Sequence, residues 1–136
     1  TLDRLKIAQR LNEQRPVDAT RLQVCIQVNI DGSQSKAGIA IEEVLALAHE
    51  VAKLPRLQLR GIMAIPDVLP ASASNATNNI AIEAIYTPAR AVFNQLKAHY
   101  PEVDTLSIGM SADLEPAIAA GSTMVRVGSA IFGSRT

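Results

Sequence analysis

The stretch that decides the fold is residues 104–135, DTLSIGMSADLEPAIAAGSTMVRVGSAIFGSR. It contains two short apolar runs, Thr105–Met110 and Met124–Val127, and each leads into a loop of small residues. The first run is short, begins with a β-branched residue and is interrupted by Gly109, which is typical of a buried strand. A helical stretch separates the two runs. This order of strand, helix and strand predicts a parallel βαβ unit.

The helix between the two runs is predicted to begin after Asp113. With Ser111 as the N-cap, Pro116 would lie in the helix interior, where proline costs about 3 kcal/mol. With Asp113 as the N-cap, Pro116 lies in the first turn, whose N–H groups have no intrahelical partner. Gly121 then ends the helix. This placement leaves the turn at residues 109–111 free to hold a ligand.

Small residues follow both strands: Ser111 follows the first, and Gly128 and Ser129 follow the second. Glycine lets a backbone approach a ligand closely, and free N–H groups at a helix start attract an anion. Glycine and serine are also ordinary turn residues, which is the simpler explanation for a lone Gly-Ser pair. Two such loops on successive parallel strands favour a phosphate site, because (β/α)8 barrels commonly form one after strands 7 and 8.

Arg126 lies within MVRVG, where alternation puts Met124 and Arg126 on one face of the strand and Val125 and Val127 on the other. A buried guanidinium needs an acceptor, since an unpaired buried charge is very costly. Two acceptors remain open from the sequence. One is a carboxylate on a neighbouring strand, which would make a structural ion pair, and the other is an atom of a bound ligand.

The block LSIGMSADLEPAIAAGSTMVRVGSAIFGSR resembles the C-terminal signature of the YggS/PROSC family of pyridoxal 5′-phosphate (PLP) homeostasis proteins, whose fold is similar to the N-terminal barrel of alanine racemase. TLDRLKIAQRLNEQRP, VCIQVNIDGSQSKAGI and LRGIMAIP also match that family, in the same order. The resemblance implies PLP as the cofactor, with Ser111, Gly128 and Ser129 at the phosphate and Arg126 at the pyridine nitrogen. Met110 is included as a cofactor-binding residue because it belongs to the same turn. Ser129 stands where many members have threonine, and it keeps the hydroxyl donor.

A (β/α)8 barrel takes about 250 residues, so this chain of 136 residues can hold only about four βα units. Strands predicted at residues 23–30, 57–65, 105–109 and 124–127 alternate with helices. We therefore predict an α/β fold, the C-terminal half of a (β/α)8 TIM barrel, with residues 1–136 as a single partial domain. In the family, the lysine that forms the Schiff base with PLP lies in the other half. The chain thus looks like part of a longer protein.

The expected partners follow from this half-barrel. A four-stranded parallel sheet exposes two edges, so we expect the chain to pair with the absent N-terminal half or with a second copy of itself. PLP-dependent apoenzymes are further candidates. Thirteen basic and thirteen acidic residues balance, and aromatic residues make up only 3%, so neither nucleic acid nor a membrane surface is an expected partner.

Location and metal binding are predicted from simpler features. The sequence has no apolar run long enough to span a bilayer, no leader pattern, and one cysteine, Cys25, which cannot form an internal disulfide. The cytoplasm is therefore the expected location. His49 has no second His or Cys at ligand spacing, and no metal site is predicted.

Two loops have roles that the sequence leaves open. Residues 31–38, DGSQSKAG, follow a predicted strand, so Lys36 should lie near the mouth of the barrel. There it could attract phosphate or carboxylate, bind PLP covalently, or simply be a solvated loop charge. Residues 66–79, PDVLPASASNATNN, are predicted to form a long loop that is either a lid or disordered. Helices are predicted over about 1–14, 41–54 and 80–100, the last with a kink or restart at its proline.

The chemistry implied by Arg126 decides between the possible functions. Arginine keeps its proton, so facing a pyridine nitrogen it donates a hydrogen bond and leaves that nitrogen unprotonated, which makes the ring a weaker electron sink. No second acid–base residue is apparent, and no catalytic residue is assigned. The favoured function is PLP binding and homeostasis without catalytic activity. The alternatives are an alanine-racemase-like PLP enzyme and a phosphate-binding barrel enzyme acting on sugar phosphates.

Overall fold

The computed structural model describes residues 1–67 and 76–134, with the backbone alone for residues 76–78. Helices and strands alternate in the order α1 Leu5–Gln14, β1 Leu22–Val28, α2 Val44–Ala52, β2 Leu57–Ala64, α3 Ala76–His99, β3 Thr105–Met110, α4 Leu114–Ala119, β4 Met124–Arg126 and α5 Ser129–Phe132. A turn of 3-10 helix, Ile41–Glu43, precedes α2. The strands form a parallel sheet in the order β1-β2-β3-β4. The predicted α/β fold of four parallel βα units is confirmed.

The two faces of the sheet differ in character. Side chains alternate between faces along a strand, so the register row Ile26–Ile62–Leu106 and the next row, Gln27–Met63–Ser107, lie on opposite faces. The first row is fully buried and packs with residues of α2 and α3 in the core, among them Ala48, Val51, Val92 and Leu96. The second row is the inner face of the half-barrel, and it carries polar side chains.

The outer edge of β1 is partly covered by the chain itself. Leu2 donates its N–H to the Cys25 carbonyl at 2.9 Å, and its own carbonyl accepts from the Gln27 N–H at 2.8 Å. Further along, the Ile39 N–H donates to the Gln27 carbonyl at 3.0 Å, and the Ile39 carbonyl accepts from the Asn29 N–H at 2.8 Å. The predicted helix over residues 1–14 therefore begins at Leu5. The expectation of two open edges was wrong for β1.

Helix α3 is longer than the sequence predicted. It runs from Ala76 to His99 as one helix with Pro88 inside it, so it begins before the predicted start near Ile80 and does not restart at the proline. The alternative of a kink at Pro88 stays a prediction. Its buried residues Phe93 and Leu96 face the core, as predicted. Residues 76–79 of the predicted loop 66–79 thus belong to a helix, while residues 68–75 lie outside the described part of the chain. The choice between a lid and a disordered loop stays a prediction.

Both ends of α4 agree with the sequence. The helix begins at Leu114, after Asp113 as the N-cap, which puts Pro116 in the first turn. Gly121 follows the helix with φ +101°, and the next N–H, that of Ser122, donates to the Ala117 carbonyl at 3.0 Å. The Asp113 carboxylate makes no capping hydrogen bond, however. It is used elsewhere, at the end of β3.

Gly61 permits the close approach of β2 to β3. A Cβ atom placed on Gly61 would lie 1.7 Å from the backbone oxygen of Thr105. The β1–β2 register also shifts by one residue here, since Val24 pairs with Leu59 and Cys25 with Gly61. A glycine within this strand was predicted to mark a close approach or a bend. The structure confirms the close approach.

Gly61→Ala is expected to destabilise the fold by more than about 3 kcal/mol, because a methyl group cannot overlap a backbone oxygen and the two strands would have to separate. The measurement is the free energy of unfolding in urea. Gly32→Ala is the matched control, since nothing lies within 4 Å of its Cβ position. Its backbone has φ +70°, so the control should lose about 1–2 kcal/mol. Equal losses in the two variants would contradict the steric explanation.

Candidate functional site

A pocket of about 210 Å³ lies at the carboxyl ends of β2, β3 and β4. Ligands in α/β folds commonly bind at this end of the strands. The pocket is lined by Ala64, Ile65, Pro66, Tyr86, Met110, Ser111, Ala112, Asp113, Arg126 and Ser129. Four of the five predicted site residues are therefore brought together, namely Met110, Ser111, Arg126 and Ser129. The fifth, Gly128, lies just outside the lining and contacts one of them.

The hydroxyl of Ser111 joins the end of β3 to the start of α5. Ser111 Oγ accepts hydrogen bonds from the backbone N–H groups of Gly128 and Ala130, both at 3.3 Å. These N–H groups belong to the first turn of a helix, where no intrahelical carbonyl is available to them. We refer to Ser111 Oγ and these two N–H groups as the amide cluster. It concentrates donors on one point, which is the requirement for holding an anionic oxygen.

Arg126 is half-buried at the end of β4, and its guanidinium reaches across two neighbouring strands. Nη1 donates to the carbonyl of Ser107 at 3.0 Å and to the Ser107 hydroxyl at 2.5 Å, while Nη2 donates to the Ala64 carbonyl at 3.1 Å. A guanidinium carries five N–H donors, so donors remain after these three bonds. Burial lowers the pKa of Arg126, while the negative charge of nearby Asp113 opposes that change.

The acceptor that Arg126 needs is therefore not a neighbouring carboxylate. Among the described residues, no carboxylate oxygen lies within 4.0 Å of its guanidinium. The structural ion pair that the sequence left open is not found there. The guanidinium is instead fixed in place by the neutral oxygens of Ser107 and Ala64.

Two buried residues of the pocket were missed by the sequence analysis as site residues. Tyr86 of α3 and Asp113 are each only 2% exposed, and the Tyr86 hydroxyl donates to Asp113 Oδ2. Asp113 Oδ1 accepts the N–H of Met110 at 2.8 Å. Burial, and then the bond to Asp113, raise the pKa of Tyr86. The signal for Asp113 was its place two residues after Ser111, whereas nothing near Tyr86 in the sequence indicates this contact.

Lys36 is held in an ion-pair cluster between two loops. Its Nζ lies 3.0 Å from Asp31 Oδ2, 2.7 Å from Asp67 Oδ1 and 3.0 Å from the Ile65 carbonyl. The Asp31 carboxylate also accepts the N–H groups of Asp67 at 2.8 Å and Ser33 at 3.2 Å. Lys36 therefore ties the loop after β1 to the end of β2. It is neither free in the pocket nor a simple solvated charge.

Neither a metal site nor a membrane-spanning helix is found in the described residues. In residues 1–67 and 76–134, no group of three or more His, Cys, Asp or Glu side chains could hold a metal ion. Across the same ranges, every helix is too short or too polar to cross a membrane.

The whole chain, residues 1–136, matches the profile of the family described as alanine racemase, N-terminal domain. The chain belongs to this family. Among curated relatives, the pyridoxal phosphate homeostasis protein of Escherichia coli strain K12 is 53% identical over 135 residues, which cover 99% of this chain and 55% of the relative. The Vibrio cholerae protein of the same name is 48% identical, with 99% and 54% covered. The chain thus spans about half the length of the curated relatives it matches.

Solved structures share the fold of this chain. PipY of Synechococcus elongatus, solved with PLP bound, has a TM-score of 0.76 and 28% identity, covering 97% of this chain and 58% of PipY. An unknown protein from Bifidobacterium adolescentis has a TM-score of 0.79 and 28% identity, covering 96% and 51%. The resemblance to PLP homeostasis proteins seen in the sequence is confirmed. That residues 1–136 form a single partial domain stays a prediction.

The ion-pair cluster of Asp31, Lys36 and Asp67 should make the free energy of unfolding depend on pH. The pKa of the Asp31 carboxyl is lowered from 3.8 to about 2, chiefly by the N–H of Asp67 and then by Lys36. A carboxyl with a lowered folded-state pKa stabilises the fold above its unfolded value and loses that contribution as pH falls. The loss should therefore occur between about pH 4 and pH 2. Asp31→Asn should flatten this part of the dependence of the unfolding free energy on pH, measured in urea.

The control for this prediction is Asp18→Asn, which alters an exposed carboxylate with no recorded hydrogen bond among the described residues. The unfolding free energy of this variant should depend on pH in the same way as that of the wild type. An Asp31→Asn variant with the wild-type slope would show that the cluster contributes nothing to acid stability.

Proposed function

We propose that this chain binds PLP and acts in PLP homeostasis, carrying or buffering the cofactor without catalysing a reaction of its own. The observation that carries the proposal is the meeting, in one pocket, of the amide cluster with a guanidinium that has no carboxylate partner among the described residues. The names of the curated relatives support it. So does the solved structure of PipY with PLP bound.

The donors present fit the two ends of PLP. A phosphate needs several N–H and O–H donors, and Ser111, Ser129 and the N–H groups of Gly128 and Ala130 supply them. The hydrogen bonds from these two N–H groups to Ser111 Oγ are long, at 3.3 Å, so a stronger anionic acceptor can replace Ser111 Oγ as their partner. A pyridine nitrogen needs one donor, and Arg126 has N–H groups in excess of its three bonds. Met110 completes the wall beside them.

The bound cofactor supplies an aldehyde and an electron-withdrawing ring. Arg126 stays protonated at any working pH, even with a pKa lowered by burial, because arginine starts so high. It therefore donates a hydrogen bond to the ring nitrogen and does not transfer a proton to it. A ring left neutral withdraws electrons weakly, which suits a protein that holds the cofactor and releases it intact.

The racemase alternative has less support from the pocket. A racemase needs an acid–base group on each side of the substrate carbon. Among the described residues that line the pocket, Tyr86 and Asp113 are the ionisable side chains besides Arg126. They are already bonded to each other, and the pKa of Tyr86 is raised rather than brought towards neutrality. The sugar-phosphate alternative shares the amide cluster but gives Arg126 no special acceptor. Racemisation of an amino acid by the purified full-length protein would overturn the non-catalytic proposal.

A second part of the proposal concerns the partner. Large apolar side chains near β4 and α5 are exposed, with Phe132 at 85%, Ile131 at 68% and Ile118 at 55%. Exposed apolar patches mark surfaces that another element covers. We propose that four further βα units, such as the remaining part of the relatives would supply, cover this surface and carry the lysine that binds PLP covalently. A second copy of this chain is the alternative occupant, and PLP-dependent apoenzymes are the proposed recipients.

We place the protein in the cytoplasm as part of the same proposal. Cys25 is a free, partly buried thiol, and burial raises its pKa. A lone inert thiol suits a reducing compartment, because it neither pairs nor reacts there.

The first test is a calorimetric titration with PLP, using the chain alone and mixed with the first half of the E. coli relative. PLP should bind at least about tenfold more tightly than pyridoxal, which lacks the phosphate and so gains nothing from the amide cluster. Equal affinities for the two compounds would contradict the phosphate assignment. Binding that appears only in the mixture would support the proposed partner, and binding by the chain alone would show that the partner is dispensable.

Ser111→Ala should weaken PLP binding by about 1–3 kcal/mol, because it removes one donor from the phosphate and leaves the two N–H groups with one acceptor fewer. The same titration measures it. Ser134→Ala is the control, since Ser134 is exposed and outside the pocket lining. Should Ser111→Ala bind as tightly as Ser134→Ala, Ser111 does not belong to the site.

Arg126→Ala should change the absorption spectrum of bound PLP more than it changes the affinity for inorganic phosphate, because the guanidinium is assigned to the ring and not to the phosphate. Arg126→Lys keeps the charge but loses the planar fork. The absorption spectrum of PLP bound to this variant should be intermediate between those of the wild type and Arg126→Ala. A bound-state spectrum that neither variant alters would rule out contact between Arg126 and the ring nitrogen.

A further inference from the structure

We propose that Tyr86 and Asp113 are positioning residues for phosphate: their buried, hydrogen-bonded pair fixes where the Ser111 hydroxyl stands and so how tightly the amide cluster holds an anion. Neither residue is assigned a contact with the ligand. The inference rests on the proposed function for its ligand, and it names the side chains that shape that site.

Both oxygens of the buried Asp113 carboxylate accept a hydrogen bond from the protein. The side chain is 2% exposed, so its charge must be met by donors within the protein. Oδ2 accepts the Tyr86 hydroxyl and Oδ1 accepts the Met110 N–H at 2.8 Å. No cationic nitrogen lies within 4.0 Å of Asp113 in the described part of the chain. Two neutral donors, from α3 and from the end of β3, therefore hold this carboxylate in one place.

Asp113 also holds the turn that carries Ser111. Met110 is fixed at both of its backbone polar groups, because its N–H donates to Asp113 Oδ1 and its carbonyl accepts the Asp113 N–H at 3.1 Å. The Asp113 carbonyl in turn accepts the Ala117 N–H at 3.0 Å, which ties the turn to α4. Ser111 lies between the two residues that are joined. The position and direction of its Cα–Cβ bond are therefore fixed, which sets where its hydroxyl can reach.

The Ser111 hydroxyl accepts two long hydrogen bonds. Its contacts with the N–H groups of Gly128 and Ala130 are at 3.3 Å, near the long end of the range for hydrogen bonds. A small rotation of the turn would break them. Loss of the Tyr86 hydroxyl would leave one carboxylate oxygen buried without a donor, so the carboxylate would move to find water and would release Met110. Tyr86, far from Ser111 in sequence, thus acts on the amide cluster through Asp113.

The test is a double-mutant cycle on the purified chain with its partner half, with PLP and inorganic phosphate as probes. Asp113→Ala should lower the affinity for both probes about tenfold, and Tyr86→Phe about three- to tenfold. In a Ser111→Ala background the same changes should have less than about a twofold effect, since the group they position is gone. Equal losses in both backgrounds would overturn the inference, because Asp113 would then act independently of Ser111.

Conservative variants separate positioning from folding. Asp113→Asn should recover most of the affinity, because an amide oxygen can still accept the Met110 N–H and the amide group can donate to the Tyr86 oxygen. Tyr100→Phe is the matched control at the opposite end of the sheet, and it should bind as wild type. If Asp113→Ala does not fold, the double-mutant cycle with Ser111→Ala is measured with Tyr86→Phe, since this variant removes a single oxygen. A Tyr86→Phe variant that binds PLP and phosphate with wild-type affinity would contradict the proposal.

A second measurement needs no ligand. In amide hydrogen exchange, Tyr86→Phe should speed exchange at Gly128 and Ala130 severalfold, because the Ser111 hydroxyl no longer stays in reach of them. The Leu106 N–H, which donates to Thr123 Oγ1 at 2.8 Å, serves as the internal control and should not change. Unchanged exchange at Gly128 and Ala130 would overturn the inference. If wild type fails to bind PLP, the proposed function fails, while the exchange data still decide the role of Tyr86 and Asp113.

Discussion

The buried carboxylate of Asp113 is the constraint on which the organisation of the site depends. A charge removed from water must be met by donors, and here they come from two different elements, the Tyr86 hydroxyl on α3 and the Met110 N–H at the end of β3. Meeting that requirement joins a helix, a strand and the start of the next helix at one point. The turn that carries Ser111 is held between them, which is why a loop of small residues has a defined shape.

Arg126 provides the corresponding constraint on the strands. Its guanidinium donates to the carbonyl of Ala64, the last residue of β2, and to that of Ser107 within β3, so three strands are tied together beneath the pocket. Neutral carbonyls fix the group in position without neutralising its charge. The same residue therefore stabilises the sheet and brings a positive charge with no direct carboxylate partner among the described residues into the pocket that holds Ser111. Such an arrangement favours a ligand that carries both an anionic group and a further acceptor.

Much of the fold was predictable because local rules dominate where elements begin and end. Pro116 and Gly121 set the limits of α4, since proline is excluded from a helix interior and glycine accepts a positive φ. The start of α1 and the length of α3 were not predictable. Leu2 has helical spacing with the residues after it, yet it pairs with β1, and Pro88 is tolerated inside a long helix. For Leu2, a tertiary contact outweighs the local preference for a helix.

The sequence by itself determined the order of the βα units, the two small-residue turns and the arginine between them, because these depend on spacing along the chain. Only the tertiary structure decided what those residues touch. Tyr86 meets Asp113, and Lys36 meets Asp67, across separations that no local pattern encodes. The physical reason is that a buried or clustered charge pairs with whichever donors or acceptors the packing of distant elements brings to it, and that packing arises from the fold as a whole.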